Sequence, residues 1–273
     1  MKRLLQIEWI KLSGNKFFWI GLALYAASMA LLLAYFGDIR ANGSRGEEQA
    51  MVGNQNFASF GFYAIPQLWH NATYIATFFK FIPVFILVFF LSNEFQYKTM
   101  RQHIIDGMSL KEFFASKMVI NLLFALGATA VLFVIIMVLG LVNNSDLGDK
   151  SIFDGSIYIL YFFIEVLFLF VFSTFITWLV KRSAISIIVL LLYYYAIEPM
   201  VGLALPDFIS DLLPTRPSRE LILQPFTKLL KVEQFVGGGT SEDVIPWKFI
   251  SLSLVYTVIF TIASYFVLNR KQL

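Results

Sequence analysis

The 273-residue chain is 58% hydrophobic and 14% charged, carries 30 Phe and 12 Tyr, and has a net charge of +3. A soluble domain is about a quarter charged, so the solvent of this chain is mostly lipid, and so small a net charge without a long basic run argues against nucleic acid as a partner. Cysteine is absent, which excludes disulfides, thiolate metal sites and cysteine nucleophiles.

Residues 1–16 form a polar start that runs to Lys16 and includes Glu8, unlike a cleaved signal peptide. As a helix this stretch aligns Leu5, Trp9 and Leu12, with Lys2, Arg3, Lys11 and Lys16 available to lipid headgroups. Gly14 and Asn15 offer a bend into the next segment. A spanning helix needs roughly 20 mostly apolar residues. Six stretches qualify: 17–36, 72–91, 118–142, 157–180, 184–205 and 248–268. The fold class expected is an all-α polytopic membrane protein, a single transmembrane domain over 1–273.

Between the second and third spans lies 92–117, longer than a connection requires. Tyr97, Met100 and Ile104 share a helical stripe, Asp106-Gly107 signals a turn, and Ser109 with Glu112 forms an S-x-x-E capping box. The pattern predicts two short amphipathic helices joined by a turn, a lever able to pass force between a soluble partner and two spans. Only Lys181, Arg182 and Ser183 separate the fourth and fifth spans, a tight basic hairpin. The longest connection, 206–247, holds Pro206, Pro214, Pro217, Pro225, Pro246 and a triple glycine, with Leu223, Phe226 and Leu230 at helical spacing. One or two surface helices capping the bundle are expected there.

With the N-terminus inside, the cytoplasmic pieces hold twelve basic residues in 50 positions, against seven in 91 outside. The positive-inside rule therefore places both termini in the cytoplasm.

Charges within spans are costly and usually face protein or water. Lys80, Glu165 and Glu198 each fall seven or eight residues from the outer boundary of a span, or about 10–12 Å at 1.5 Å per residue. This matched depth predicts a buried cluster in which Lys80 neutralises one or both carboxylates, as a packing network or as a polar outer gate. Pro199 should bend span five and free a carbonyl. His70 and His103 fall on opposite sides of the membrane and share no metal site.

The order of an amphipathic N-terminal helix, six spans and a two-helix loop after span two resembles permease subunits of type-2 ABC exporters. The local resemblance rests on Glu94, Lys98-Thr99, Arg101, Asp106-Gly107, Ser109 and Lys117. Members tend to show a Glu, Gly-Thr or Lys-Thr, a basic residue, a Gly- or Pro-containing turn, a Ser or Arg, and a Lys entering span three. Here Lys98 stands where many have Gly, and Met108 lies near a frequent Pro.

The resemblance implies a non-catalytic subunit of the cytoplasmic membrane of a bacterium. Its loop would contact a pair of ATPase subunits through residues from Asp106 to Lys117, Lys111 and Glu112 among them, and a second permease copy or paralogue would complete the pathway. No cofactor is expected in this chain, ATP and Mg belonging to the ATPase, since it has no GxxxxGK[ST] loop. The rival classes are a secondary transporter, which would more naturally show symmetric halves and broken helices, and a membrane scaffold without transport.

Overall fold

A computed structural model describes residues 2–43, 51–52, 55–56, 65–97, 99–105, 107–143, 151–223 and 246–270. Its elements are helices, apart from a two-residue antiparallel pair, β1 (Met51–Val52) with β2 (Gln55–Asn56). A backbone surrounded by hydrocarbon must satisfy its polar groups within each segment, which is why apolar runs of this length become helices.

Helix α1 (Lys2–Ser13) ends at Gly14, and α2 (Lys16–Gly43) starts after Asn15, whose side-chain oxygen caps it by accepting the Phe17 N–H at 3.0 Å. Next come α3 (Gln67–Phe79) and α4 (Phe81–Gln96), which together form one apolar run broken at Lys80. Pro83 explains the break, because its ring excludes the carbonyl four residues earlier, that of Phe79.

After α4 come the short helix α5 (Thr99–Ile105), a turn in which Gly107 takes φ +94°, and α6 (Leu110–Asn143). Here the structure corrects the reading of 92–117. The expected second loop helix is the first two turns of α6, continuous with the third span. No proline lies between Leu110 and Asn143, so nothing stops the helix once Ser109 and Glu112 have started it.

Helix α7 (Ile157–Val180) ends where Lys181 adopts a left-handed conformation, φ +61°, and donates its N–H to Thr177 at 2.7 Å. The fifth apolar segment is α8 (Ser183–Leu192), a π turn at Tyr193–Ile197 and α9 (Glu198–Ala204). Two one-turn helices follow, α10 (Asp207–Ser210) and α11 (Arg216–Arg219). Phe226, Leu230, Pro225 and the glycine run of the expected cap lie outside the described residues. Helix α12 (Trp247–Arg270) completes the fold.

Among the described residues five stretches are long and apolar enough to cross a membrane: 67–96, 110–143, 157–180, 183–204 and 247–270. In α2 the described apolar stretch is shorter, Lys16–Leu31. The centre of the bundle is α7, which packs against α3, α4, α6, α8, α11 and α12. Its aromatic faces interlock with α12, where the Phe260 ring lies 4.9 Å from that of Phe172 and 5.3 Å from that of Phe175. Asn121 of α6 and Thr174 of α7 exchange hydrogen bonds of 3.0 and 3.2 Å in this core.

Candidate functional site

Two buried charge clusters organise the bundle. They sit about 21 Å apart along α4, since Lys80 and Glu94 are fourteen residues apart on a helix rising 1.5 Å per residue.

The first joins α1, α4 and α6 around Lys117. Its ammonium is fully buried and donates to Glu8 Oε1 at 2.6 Å and to Glu94 Oε1 at 2.5 Å. The Phe90 and Phe113 rings lie 5.0 and 5.2 Å from it, supplying cation–π stabilisation. Lys11 Nζ, one turn from Glu8, adds a longer contact to Glu94 at 3.5 Å. Two lysines therefore face two carboxylates, which is what makes such burial tolerable.

This cluster changes the meaning of α1. Leu12 faces the protein, 7% exposed, while Trp9 is 57% exposed, so the proposed stripe is divided between protein and surroundings. Glu8, on the buried side, ties α1 to α6. Sequence reasoning noted Glu8 only as a mark against a signal peptide. A lone acidic residue among the basic ones of an interfacial helix was the available signal.

The loop residues singled out from the sequence separate into two groups. Glu94 and Lys117 are interior and bonded to each other, whereas Gly107, Ser109, Lys111 and Glu112 are exposed. Ser109 and Glu112 bond reciprocally: the Ser109 N–H and hydroxyl donate to Glu112 Oε2 at 3.0 and 2.8 Å, and the Glu112 N–H returns to Ser109 Oγ at 3.3 Å. Thr99 Oγ1 donates to the Glu94 carbonyl at 3.4 Å, tying α5 back to α4. Lys98 and Asp106 lie outside the described residues, as does the side chain of Arg101.

The second cluster lies where α3 meets α4. Lys80 pairs with Glu165 of α7 and donates to the Tyr194 hydroxyl at 2.6 Å. Glu198 is placed with other partners. Both its oxygens accept the Thr215 N–H, at 2.9 and 3.1 Å, and Arg219 Nη2 stands 3.6 Å away. Tyr194 joins the two halves, because the Arg219 guanidinium lies over its ring at 5.0 Å while Lys80 holds its hydroxyl. The expectation that Lys80 could serve both carboxylates therefore gives way to one cation for each.

Backbone chemistry explains why Arg219 is needed. In the π turn the Glu198 N–H bonds to the Tyr193 carbonyl, five residues back. In that register the Tyr194 carbonyl awaits the N–H of residue 199, which is proline and has none. Arg219 Nη1 supplies the missing donor at 3.3 Å. Sequence position assigned Arg219 to an extramembrane cap, so it was missed. Pro214 and Pro217, which turn the chain back toward the bundle, were the usable hint.

Nearby, Asp211 receives Lys248 at 2.6 Å and Arg216 at 3.4 Å, joining the α10–α11 segment to α12. His70 stacks on Tyr158 with ring centroids 4.3 Å apart and its Nε2 lies 2.8 Å from the Leu223 carbonyl, a packing role. No group of three potential metal-ligating side chains occurs among the described residues.

No curated protein matches the chain. Residues 4–197 match the family model described as ABC-2 family transporter protein, a region that runs from α1 through the Lys117 cluster and the Lys80, Glu165 and Tyr194 part of the second cluster to the end of the π turn. That span covers most of the sequence, and with the apolar helices and the α4–α6 connection already described, the chain belongs to the ABC-2 transporter family and is a membrane permease of an ABC transporter.

Proposed function

We propose that this chain is the transmembrane subunit of an ATP-driven exporter in a bacterial cytoplasmic membrane, crossing six times with both termini in the cytoplasm. The sixth crossing is α2, whose 28 residues reach about 42 Å. A separate pair of ATPase subunits would hold ATP and Mg, and a second permease copy or paralogue would complete the pathway.

The observation that carries this reading is the Lys117 cluster. A partner pressing on the exposed turn at Gly107–Glu112 pushes on the first turns of α6, a continuous helix about 51 Å long. Two turns further in, Lys117 grips Glu8 of α1 and Glu94 of α4. Displacement at the loop is thereby shared among α1, α4 and α6 as one body. Glu94 and Lys117 act as the grip, and Gly107, Ser109, Lys111 and Glu112 as the surface presented to the ATPase.

At the other end, separating α4 from α7 or α9 from α11 breaks an ion pair, so the Lys80 and Arg219 contacts serve as an outer gate. Lys80→Met is expected to abolish transport or uncouple ATP hydrolysis while the complex stays assembled. Loss of folded protein in that variant would assign the pair to packing alone.

The reading is tested by purifying the chain in mild detergent from its native membrane and identifying what accompanies it by mass spectrometry. An ATPase carrying the GxxxxGK[ST] motif should co-purify, and be lost from the Lys111→Glu, Glu112→Lys double variant. Recovery of the chain alone, transporting in vesicles without ATP, would replace the reading with a secondary transporter.

A further inference from the structure

A cavity of about 130 Å³ opens at the elbow between α1 and α2, against α4. Its walls are apolar and largely aromatic, from Phe17, Phe18, Phe89 and Phe90, with Phe17 and Phe89 meeting edge to face at 5.0 Å. Ile86 also lines it and leans onto Gly21, where a Cβ would stand 2.4 Å from its Cδ1. Only a glycine at that position leaves room for the Ile86 side chain as it lies.

Polarity is confined to Asn15 and Asn93. Asn15 spends its oxygen on the Phe17 N–H, leaving its amide hydrogens. The Asn93 side chain has no hydrogen-bond partner among the described residues, nor does Lys16, the exposed residue between Asn15 and Phe17. The cavity thus presents unused amide donors, and Lys16, which does not line it, follows Asn15 in the chain and brings a positive charge beside an apolar hole.

We propose that this elbow binds one anionic phospholipid, its phosphate held by Lys16 and the two Asn amides and the start of one acyl chain seated among the phenylalanines. Apolar cavities of about 150 Å³ stay dry and accept a benzene-sized group, so this one takes a few methylenes rather than a whole tail. Charge complementarity selects the occupant. A neutral tail alone would leave the amides unanswered, and a free anion would leave the hole empty. The proposal rests on the chain's membrane location and is independent of coupling to an ATPase.

The test is native mass spectrometry of the full chain in detergent, titrated with phosphatidylglycerol or phosphatidylcholine. One phosphatidylglycerol per chain should be retained under conditions that strip phosphatidylcholine. Leu12→Phe, which fills the cavity from α1, should abolish that retention. Lys16→Gln, at an exposed position where folding is not at stake, should weaken it about fivefold, the worth of one basic residue at an anionic surface. Equal retention of the two lipids, unchanged retention in Lys16→Gln, or displacement of the lipid by inorganic phosphate would each overturn the proposal.

Discussion

Lys117 and Lys80 are both buried lysines facing carboxylates, and they are held by different means. Lys117 sits on regular helix and is answered by side chains alone: Glu8 and Glu94, with Phe90 and Phe113 around it. The Lys80 cluster uses broken backbone at each step, from the interruption forced by Pro83 to the π turn ahead of Pro199 and the Thr215 N–H on Glu198. Unsatisfied backbone groups within a membrane cost several kcal/mol each on the order-of-magnitude scale for apolar media, so irregular backbone persists only where something answers it. The first cluster can move as a unit without breaking a helix. The second cannot rearrange without exposing a carbonyl or an ion, which suits it to a place where opening must be costly.

The comparison breaks most readily at Lys117. Lys117→Met leaves two carboxylates buried around an apolar side chain and should destabilise the protein by about 3–5 kcal/mol, visible in thermal unfolding in detergent. Adding Glu8→Gln and Glu94→Gln should recover most of that loss. A single variant as stable as the parent would mean the cluster does not hold α1.

At the other end, Arg219→Gln removes the cation beside Glu198 and a donor to the Tyr194 carbonyl, with an expected cost of about 2 kcal/mol. Pro199→Ala restores the N–H that the π register lacks. In that background Arg219→Gln should cost about 1 kcal/mol less, a coupling that a double-mutant cycle reads directly. Additive costs would show that Arg219 acts through Glu198 alone.

Between the clusters, the Asn121–Thr174 exchange should contribute about 0.6 kcal/mol, the usual worth of an interhelical side-chain bond in a membrane. A cycle with Asn121→Leu and Thr174→Val measures it. The smallest change concerns the loop turn. Ser109→Ala should speed amide exchange in the first turn of α6 by roughly fivefold, the loss of one N-cap, without touching Lys117. Exchange at Glu8 that speeds up to the same extent would instead reveal that the cap and the cluster are one unit.

Much of the architecture was legible without coordinates. The apolar stretch 157–180 coincides with α7, the other described spans differ from theirs mainly at their ends, and the break at Gly14–Asn15 was foreseen, whereas the bend expected at Pro199 is replaced by a π turn just before it. Hydropathy, helix length and proline stereochemistry act over a few turns, so a one-dimensional reading captures them. The fusion of the second loop helix with α6 was harder, because a capping box marks where a helix begins and carries no information about how far it continues.

What sequence alone determined was that this chain lives in a membrane, roughly where it crosses, and that Lys80, Glu165 and Glu198 lie inside. Which charge meets which was decided only in three dimensions. Glu8 finds Lys117 across 109 residues and Lys80 finds Glu165 across 85, while Glu198 passes over a lysine at matched depth for Arg219. Depth follows from counting residues along one helix, but a partner also requires azimuth and neighbour, and those are set by how α7 packs the other helices around itself.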